Sequence, residues 1–328
     1  MYKFLDIEVL SRYNNGSSKM IYGKEIFMNK FMKVLAASAL VATALVGCGK
    51  SSTYAKVGLG VVSSLSDDGQ VNTTFAAVGL DGDGKIVYVD VDVAQSTPGD
   101  EAKAKTETKK QLKEKYDMKK ASGIQKEWYE QIAAFEQHCT GKTADEVVAI
   151  ETEKKDEHHD AVPKAGSDLA AGCTMNIGEF QAAVKKACDN AVEVEADKVG
   201  LGRLMANDAE KKQLNTNLAL VATDADGKIV YSKVDVAQIY EGVLETKFER
   251  KEKYDMKKAS PIQKEWFEQA AAFETAINGK TLDEVKAIEV EDYHGGKAPK
   301  KGTDLAAGCT ITIDAFLATV ESALGDLH

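Results

Sequence analysis

The sequence has little proline, no Cys-x-x-Cys pair and no excess of basic residues. With Pro 4 in 328 residues and no long low-complexity run, we expect disorder only at the N-terminus and in one or two loops. Without a Cys-x-x-Cys pair, a zinc or iron–sulfur site is not expected. The net charge of -10 argues against a nucleic-acid partner, because phosphate binding needs a basic face.

The chain also lacks the residue constellations of common hydrolases. Neither a Ser-His-Asp arrangement nor a pair of catalytic carboxylates stands out. The composition, 44% hydrophobic and 29% charged residues, is that of a soluble globular protein, and the length suggests roughly two domains.

An apolar segment near the N-terminus is typical of a bacterial lipoprotein signal peptide, which we assign to residues 28–47. Its apolar run, residues 34–46, follows two lysines and is too short to span a bilayer as a mature helix. It ends in Leu-Val-Gly-Cys, which resembles a lipobox and implies lipid attachment to Cys48 after cleavage before it. Residues 48–53 would be a lipid tether, holding the protein at the outer face of the cell membrane. The alternative is an ordinary secretion signal with a chance cysteine.

Residues 1–27 do not fit a signal peptide, because they precede its charged segment and are polar and aperiodic. Lys24-Glu25 can be encoded as AAG-GAG, a ribosome-binding sequence, two codons before Met28. We therefore interpret residues 1–27 as an untranslated leader included through a mis-called start. Codons that cannot spell such a purine-rich site would remove this interpretation.

The rest of the chain consists of two similar copies of one sequence. The segment Lys113–Glu136 agrees with Lys251–Glu274 at all but three positions, and shorter matches (VGLG, DGKIVY, VDVAQ, GKT) recur in the same order. This is a tandem duplication with a period far longer than that of a solenoid repeat. We place two domains at residues 54–191 and 192–328, each large enough to bury its own core.

The periodicity within each copy predicts an α+β fold: two tandem homologous domains, each a twisted antiparallel sheet with packed helices. β-branched runs on either side of Asp81-Gly82-Asp83-Gly84 predict a β-hairpin. Helices are expected over Glu107–Met118 and Ile124–Gln137, the second with an apolar face that includes Ile124 and Trp128.

Four residues are expected at helix starts. Thr143 and Thr281 are predicted N-caps of short helices. Asn176 with Glu179 forms a capping-box pattern at the last helix of the first copy, and Thr312 is the expected cap in the second.

A heptapeptide, DLAAGCT, occurs in both copies, at Asp168–Thr174 and Asp304–Thr310. Its small residues let another molecule approach the backbone closely, and the helix start that follows favours an anion. The heptapeptide resembles the flavinylation motif of FMN-binding domains: Asp, two loosely defined residues, Ser or Thr, Gly, Ala, then Thr or Ser. Such domains occur in Rnf and sodium-pumping quinone reductase complexes and, in pairs, in pheromone-encoding lipoproteins of Gram-positive extracellular electron transfer.

The resemblance implies a covalent cofactor. In this family a flavin transferase attaches FMN through a phosphodiester to the last threonine of the motif. The matching residues are Asp168, Gly172 and Thr174 in the first copy and Asp304, Gly308 and Thr310 in the second. Two positions depart from the pattern: Ala171 and Ala307 replace Ser or Thr, and Cys173 and Cys309 replace Ala.

The resemblance covers nearly all of residues 54–328 and implies a membrane-anchored lipoprotein that relays electrons through two FMN groups. Its partners would be the flavin transferase and a membrane dehydrogenase or quinone-linked donor, and it would be an electron carrier more than an enzyme. The alternative is a surface lipoprotein without flavin, acting as a ligand-binding or interaction module, whose signal peptide could serve as a pheromone.

Two further features have competing interpretations. Trp128 and Trp266 could stack on an isoalloxazine ring, but their helical spacing with apolar residues favours core packing. The lysine-rich stretch Lys103–Lys120 is typical of a solvated helix face, with contact to a flavin phosphate as the alternative.

Two cysteines and a histidine pair also stand out. Cys139 and Cys188 have apolar counterparts in the second copy, which favours core cysteines, although a disulfide between them stays open. His158-His159 suggests a metal or flavin contact, but exposed loop histidines are the simpler interpretation.

Overall fold

Three long antiparallel strands open each copy of the repeat. They belong to a computed structural model that describes residues 53–157 and 159–328, which lie in one compact unit, Ser52–His328. The predicted leader, signal peptide and lipidated Cys48 lie outside the described residues, as does His158.

The elements of the two copies follow the same order. The first contains β1 (Tyr54–Leu65), β2 (Val71–Leu80), β3 (Ile86–Ser96), α1 (Lys109–Leu112), a 3-10 turn (Lys113–Tyr116), α2 (Trp128–Cys139), α3 (Ala144–Val148), β4 (Thr152–Glu153), β5 (Val162–Pro163), a 3-10 turn (Leu169–Ala171) and α4 (Gly178–Asp189). After a linking strand, β6 (Val192–Ala196), the second contains β7 (Lys198–Asp208), β8 (Gln213–Thr223), β9 (Ile229–Ile239), α5 (Lys247–Arg250), a 3-10 turn (Lys251–Tyr254), α6 (Trp266–Ile277), α7 (Leu282–Lys286), β10 (Val290–Tyr293), β11 (Gly296–Pro299), α8 (Asp304–Gly308) and α9 (Asp314–Gly325). Helices and antiparallel sheets together confirm the α+β class.

The strands form two main sheets, in the orders β3-β2-β1-β6 and β7-β8-β9. The predicted hairpin is confirmed, since β2 pairs antiparallel with β3 and the Asp81 carboxylate accepts hydrogen bonds from the N–H groups of Asp83 and Lys85. Although β6 follows the predicted boundary between the copies, it pairs with β1 of the first sheet. At the equivalent edge of the second sheet, the His328 main chain pairs with Val199 at 2.9 and 3.1 Å.

The two sheets pack face to face, and helices cover their outer faces. Along β2, Ala76 and Val78 face the helices of the first copy, whereas Phe75 and Ala77 face the second sheet. Burial on both faces explains why the second half of β2, from Phe75 to Leu80, is continuously apolar. The fold therefore has a helix–sheet core in each copy and a third core that the two sheets share.

The VGLG segments bring the last helix of each copy close to its sheet. A Cβ at Gly60 would lie 2.2 Å from the Ala183 carbonyl oxygen of α4, and one at Gly202 would lie 1.7 Å from that of Thr319 in α9. Side chains at these positions would push the helices outward, so glycine sets the sheet–helix distance.

Several helix predictions need correction. The helix expected over Glu107–Met118 is split into α1 and a 3-10 turn at Lys113, whose φ is 48°. The helix expected from Ile124 begins at Trp128 instead, because Gln125 has a φ of 54° and Glu127 caps the helix with Glu130. Ile124 therefore lies outside the helix.

Of the four helix starts predicted from the sequence, two are confirmed and two are wrong. Thr143 and Thr281 are confirmed as N-caps. The capping box of Asn176 with Glu179 is wrong, because α4 begins at Gly178 and the Glu179 carboxylate accepts a hydrogen bond from Thr74 Oγ1 at 2.9 Å. Thr312 is also not a cap, since Ile313 occupies the N-cap of α9.

Candidate functional site

The heptapeptide of the first copy lies against the middle of α2, where Gln131 and Ala134 contact it. Leu169 and Cys173 are buried in the helix–sheet core, whereas Asp168 and Ala171 are exposed. Cys309 is likewise fully buried in the second copy. The buried cysteines sit where the family pattern has alanine, which fits a small apolar side chain.

The glycine of each heptapeptide is needed for close packing. A Cβ at Gly172 would lie 2.7 Å from the Ala134 Cβ on α2, and a Cβ at Gly308 would lie 2.8 Å from that of Ala272 on α6. Any side chain would therefore push the segment away from its helix. This match to the family motif has a packing explanation of its own.

The last threonine of each heptapeptide is held by a buried glutamine. Gln131 Oε1 accepts hydrogen bonds from the Thr174 N–H at 2.9 Å and from its hydroxyl at 3.2 Å. Gln269 does the same for Thr310, at 2.8 and 3.2 Å. Gln131 is fixed in turn, because its Nε2 donates to Ser122 Oγ and to the Lys126 carbonyl. The network places each hydroxyl in a defined, half-buried position.

Sequence reasoning missed the two glutamines. A signal was present, since each glutamine is a polar residue beside apolar residues on its helix and recurs at the same place in both copies. A buried polar side chain must find partners, so such a residue is a candidate for holding a neighbouring segment.

Thr174 lies in the wall of a cleft of about 850 Å³. Other lining residues come from β2, from the α1 region and from the start of α4. Among the lining residues are Thr74, Lys109, Tyr116, Trp128 and Glu179. The cleft thus combines aromatic side chains with charged groups of both signs.

Lys109 is a cation of this cleft that lies close to two aromatic rings. Its Nζ lies 5.3 Å from the ring centre of Tyr116 and 5.8 Å from that of Trp128. Burial lowers the pKa of Lys109 to about 8, partly offset by the charges of Asp92 and Glu179. The ammonium is therefore short of water and gains from a bound anion.

The lysine-rich stretch is thus not wholly a solvated face. Besides Lys109, Lys110 is mostly buried, with its Nζ 2.5 Å from both Asp90 Oδ1 and Glu136 Oε1. The solvated interpretation is wrong for these two lysines, because α1 lies against β3 and α2.

The core interpretation of the tryptophans is confirmed. Trp128 packs edge-on against Phe180 with ring centres 6.1 Å apart, and Trp266 packs the same way against Phe316 at 5.8 Å. Trp128 also lines the cleft, so this side chain belongs both to the core and to the cleft wall.

The second copy repeats the lysine–aromatic arrangement. Lys247 Nζ lies 5.1 Å from the ring centre of Tyr254 and 5.7 Å from that of Trp266. The space beside Thr310 differs, however. It is a smaller cavity of about 530 Å³ on the side of Asp304, lined also by Tyr293.

The four described cysteines are free thiols, so the disulfide that the sequence left open is not formed. Burial raises the pKa of Cys139 to about 12 and those of Cys173 and Cys309 to about 11. These thiols are therefore protonated at neutral pH and act as small apolar side chains. Cys188 is only partly buried beside the same core.

The histidine pair is described only in part. His159 lines the cleft, and its Nδ1 lies 2.7 Å from the Asp156 carboxylate. Among the described residues, no group of three or more His, Cys, Asp or Glu side chains could hold a metal ion. Within residues 53–157 and 159–328, no helix has the length and apolarity needed to cross a membrane.

Comparison with family models, with curated proteins and with solved structures gave no match in any of the three searches.

Proposed function

We propose that this protein is a membrane-anchored extracytoplasmic lipoprotein that carries FMN on Thr174 and Thr310 and relays electrons. The observation that carries the proposal is the shared threonine–glutamine network. Two hydroxyls, one in each copy, are fixed in the same way at the end of the same motif. In the first copy this threonine lines a cleft large enough for a cofactor.

The residues of the first cleft suit a flavin mononucleotide. Its volume of about 850 Å³ lies within the range of roughly 300–1,000 Å³ of small-molecule sites. Lys109 would hold the phosphate, and the aromatic edges of Tyr116 and Trp128 would border the rings. FMN, when bound, supplies one- and two-electron redox chemistry.

The role of Gln131 follows from the direction of its hydrogen bonds. Because its Oε1 accepts from the Thr174 hydroxyl, the hydroxyl proton points at the glutamine and the oxygen lone pairs point elsewhere. That orientation leaves the Oγ1 lone pairs open to form the phosphodiester, with the hydroxyl proton and the leaving group of the flavin donor released at the transferase. Gln269 would orient Thr310 in the same way.

A second candidate, a surface module without flavin, is favoured by the packing of the heptapeptide. Leu169, Gly172 and Cys173 are all explained by contacts within the fold. Ala171 and Ala307 are exposed and lack the hydroxyl of the family pattern. If the transferase reads that hydroxyl, neither threonine would be modified.

Intact mass decides between the two candidates. Protein co-expressed with a flavin transferase should gain the mass of two FMN groups less two waters. Thr174→Val should remove one group, Thr310→Val the other, and the double variant both. Thr140→Val, at an exposed threonine of the first copy, is the matched control. An unmodified mass, in cells that flavinylate another substrate, would favour the surface module.

The lipid anchor has a separate test. Cys48→Ser should release the protein into the medium or leave it uncleaved, because no thiol would remain for lipid attachment. Processing and membrane retention equal to wild type would contradict the lipobox interpretation.

A further inference from the structure

The interface between the two sheets is built from equivalent positions of the two copies. On one side Arg203 of β7 reaches across to β3 of the first copy. Its Nη1 lies 2.7 Å from Asp92 Oδ2, and its Nη2 donates to Asp90 Oδ2. The Arg203 side chain is 9% exposed, so the guanidinium is enclosed by the fold.

The first copy has no arginine at the position equivalent to Arg203. The shared VGLG segments align Arg203 with Val61, and the shared DGKIVY and VDVA segments align Asp92 with Asp235 and Asp90 with Lys233. Val61, Lys233 and Asp235 line a cavity of about 510 Å³ at the place that corresponds to the Arg203 guanidinium.

The two aspartates have the same hydrogen bonds from their own copies. Asp92 Oδ1 accepts from the N–H groups of Val93 at 2.7 Å and Lys110 at 3.0 Å. Asp235 Oδ1 accepts from those of Val236 at 2.7 Å and Phe248 at 3.1 Å.

The threonine hydroxyls are equivalent as well, since Thr108 donates to Asp92 and Thr246 to Asp235. What Asp235 lacks is the donor that Arg203 supplies to Asp92. A carboxylate oxygen can accept more than one hydrogen bond, so the site has a place for it.

Acidic and basic side chains line the cavity in equal number: Asp235, Glu249 and Glu274 with Lys186, Lys233 and Lys251. Lys233 pairs with Glu274 at 3.3 Å, and Lys186 bridges the two copies by pairing with Glu249. No described ion pair joins Asp235 to a basic side chain, although the charge of Lys233, which pairs with Glu274, also stabilises the Asp235 carboxylate. Burial raises the pKa of both Asp235 and Glu274, and an added cation would oppose that effect.

We propose that this cavity binds a small guanidinium compound, whose planar cation occupies the place that Arg203 occupies on the opposite side. Asp235 would pair with it through the oxygen that faces the cavity. Leu59, Val61 and Tyr231 would contact an aliphatic chain attached to the guanidinium. The planar fork of donors suits a carboxylate better than an ammonium does, which predicts a preference for guanidines over amines.

Titration of the mature protein with agmatine tests the proposal, with putrescine as the comparison ligand, because it differs from agmatine only in having an ammonium in place of the guanidinium. Agmatine should bind saturably and more tightly than putrescine, followed by calorimetry and by the shift in melting temperature. Asp235→Asn should weaken agmatine binding roughly ten-fold or more, because a charged hydrogen bond is lost. Asp226→Asn, at an exposed turn of the same sheet, should leave it unchanged.

A second variant fills the cavity from within. Val61→Arg should place a guanidinium beside Asp235 and abolish agmatine binding, with little change in melting temperature, whereas Val87→Arg at an exposed position should not affect binding. No saturable binding to wild type, or equal binding by wild type and Asp235→Asn, would overturn the proposal. Because that comparison does not need Val61→Arg, it holds even if this variant fails to fold.

Discussion

Thr174 and Gln131 are joined by two hydrogen bonds, because the threonine N–H and hydroxyl both donate to one amide oxygen. The pair connects the end of the heptapeptide to the middle of the buried face of α2. Thr310 and Gln269 repeat it. The repeated motif is therefore only half of the site, and the glutamine on the neighbouring helix is the other half.

Replacing Gln131 by leucine should destabilise the fold. The variant keeps the volume but leaves the Thr174 N–H without its acceptor and removes one of the donors to Ser122 Oγ, at a cost of about 1–3 kcal/mol. Denaturant unfolding measures the change. Gln137→Leu, at an exposed position of the same helix, should stay within about 0.5 kcal/mol of wild type. Equal stability of the two variants would mean that the glutamine network contributes nothing.

Gly172→Ala should be destabilising because its Cβ would meet Ala134. Overpacking of this kind costs about 1–3 kcal/mol. Ala134→Gly should relieve the contact, so that the double variant loses less than the sum of the two single variants. Gly82→Ala is the control, since a Cβ there has nothing within 4 Å. Strict additivity in the thermal unfolding of the set would remove the packing explanation.

Arg203→Met should strongly lower the free energy of unfolding, because it leaves Asp90 and Asp92 buried without their guanidinium. Breaking a buried ion pair from one side costs about 3–5 kcal/mol. Arg250→Met, on the more exposed α5, should cost less than about 1 kcal/mol. Adding Asp92→Asn to Arg203→Met should recover part of the loss in free energy of unfolding. A double variant less stable than Arg203→Met would argue that Asp92 does not need the arginine.

Lys109 should give stability a distinctive pH dependence. Its folded pKa of about 8 lies below the usual lysine value of 10.5, so between these values the unfolded chain binds the proton and the folded protein does not. The contribution of Lys109 to stability therefore rises with pH in that window, by at most about 1.4 kcal/mol per pH unit.

Variants at two lysines test this sign. Lys109→Met should lack this rise, so the difference in free energy of unfolding between wild type and Lys109→Met should grow from pH 8 to pH 10.5. The exposed variant Lys119→Met should follow wild type over the same range. Parallel unfolding free energies for wild type and Lys109→Met across this range would show that the lysine is not perturbed.

The shared core predicts that both copies unfold together. Phe273→Ala removes a fully buried ring from the helix–sheet core of the second copy, at a cost of about 3–5 kcal/mol. The protein should show one thermal transition, and its midpoint should fall in the variant, since the sheet of each copy buries one face of the sheet of the other copy. Phe135→Ala is the matched variant in the first copy. Two transitions, of which only one moves in each variant, would mean that the copies fold independently.

The sequence by itself determined the duplication, the α+β class and the hairpin, because these depend on local periodicity and on turn residues. It also located Trp128 in the core and Thr143 at a helix start. It failed at Ile124 and at the Asn176–Glu179 pair, because Glu179 bonds to Thr74 of a distant strand. It also read Lys109 as solvated, although α1 lies against β3.

Only the tertiary structure decided what surrounds the heptapeptides and how the copies meet. Gln131 reaches Thr174 across 43 residues of chain, so no local pattern could pair them. Arg203 and Val61 occupy equivalent places in the sequence, yet one fills a charged site and the other lines a cavity. Local sequence determines which element forms, whereas the partner of each buried charge depends on contacts between elements far apart in the chain.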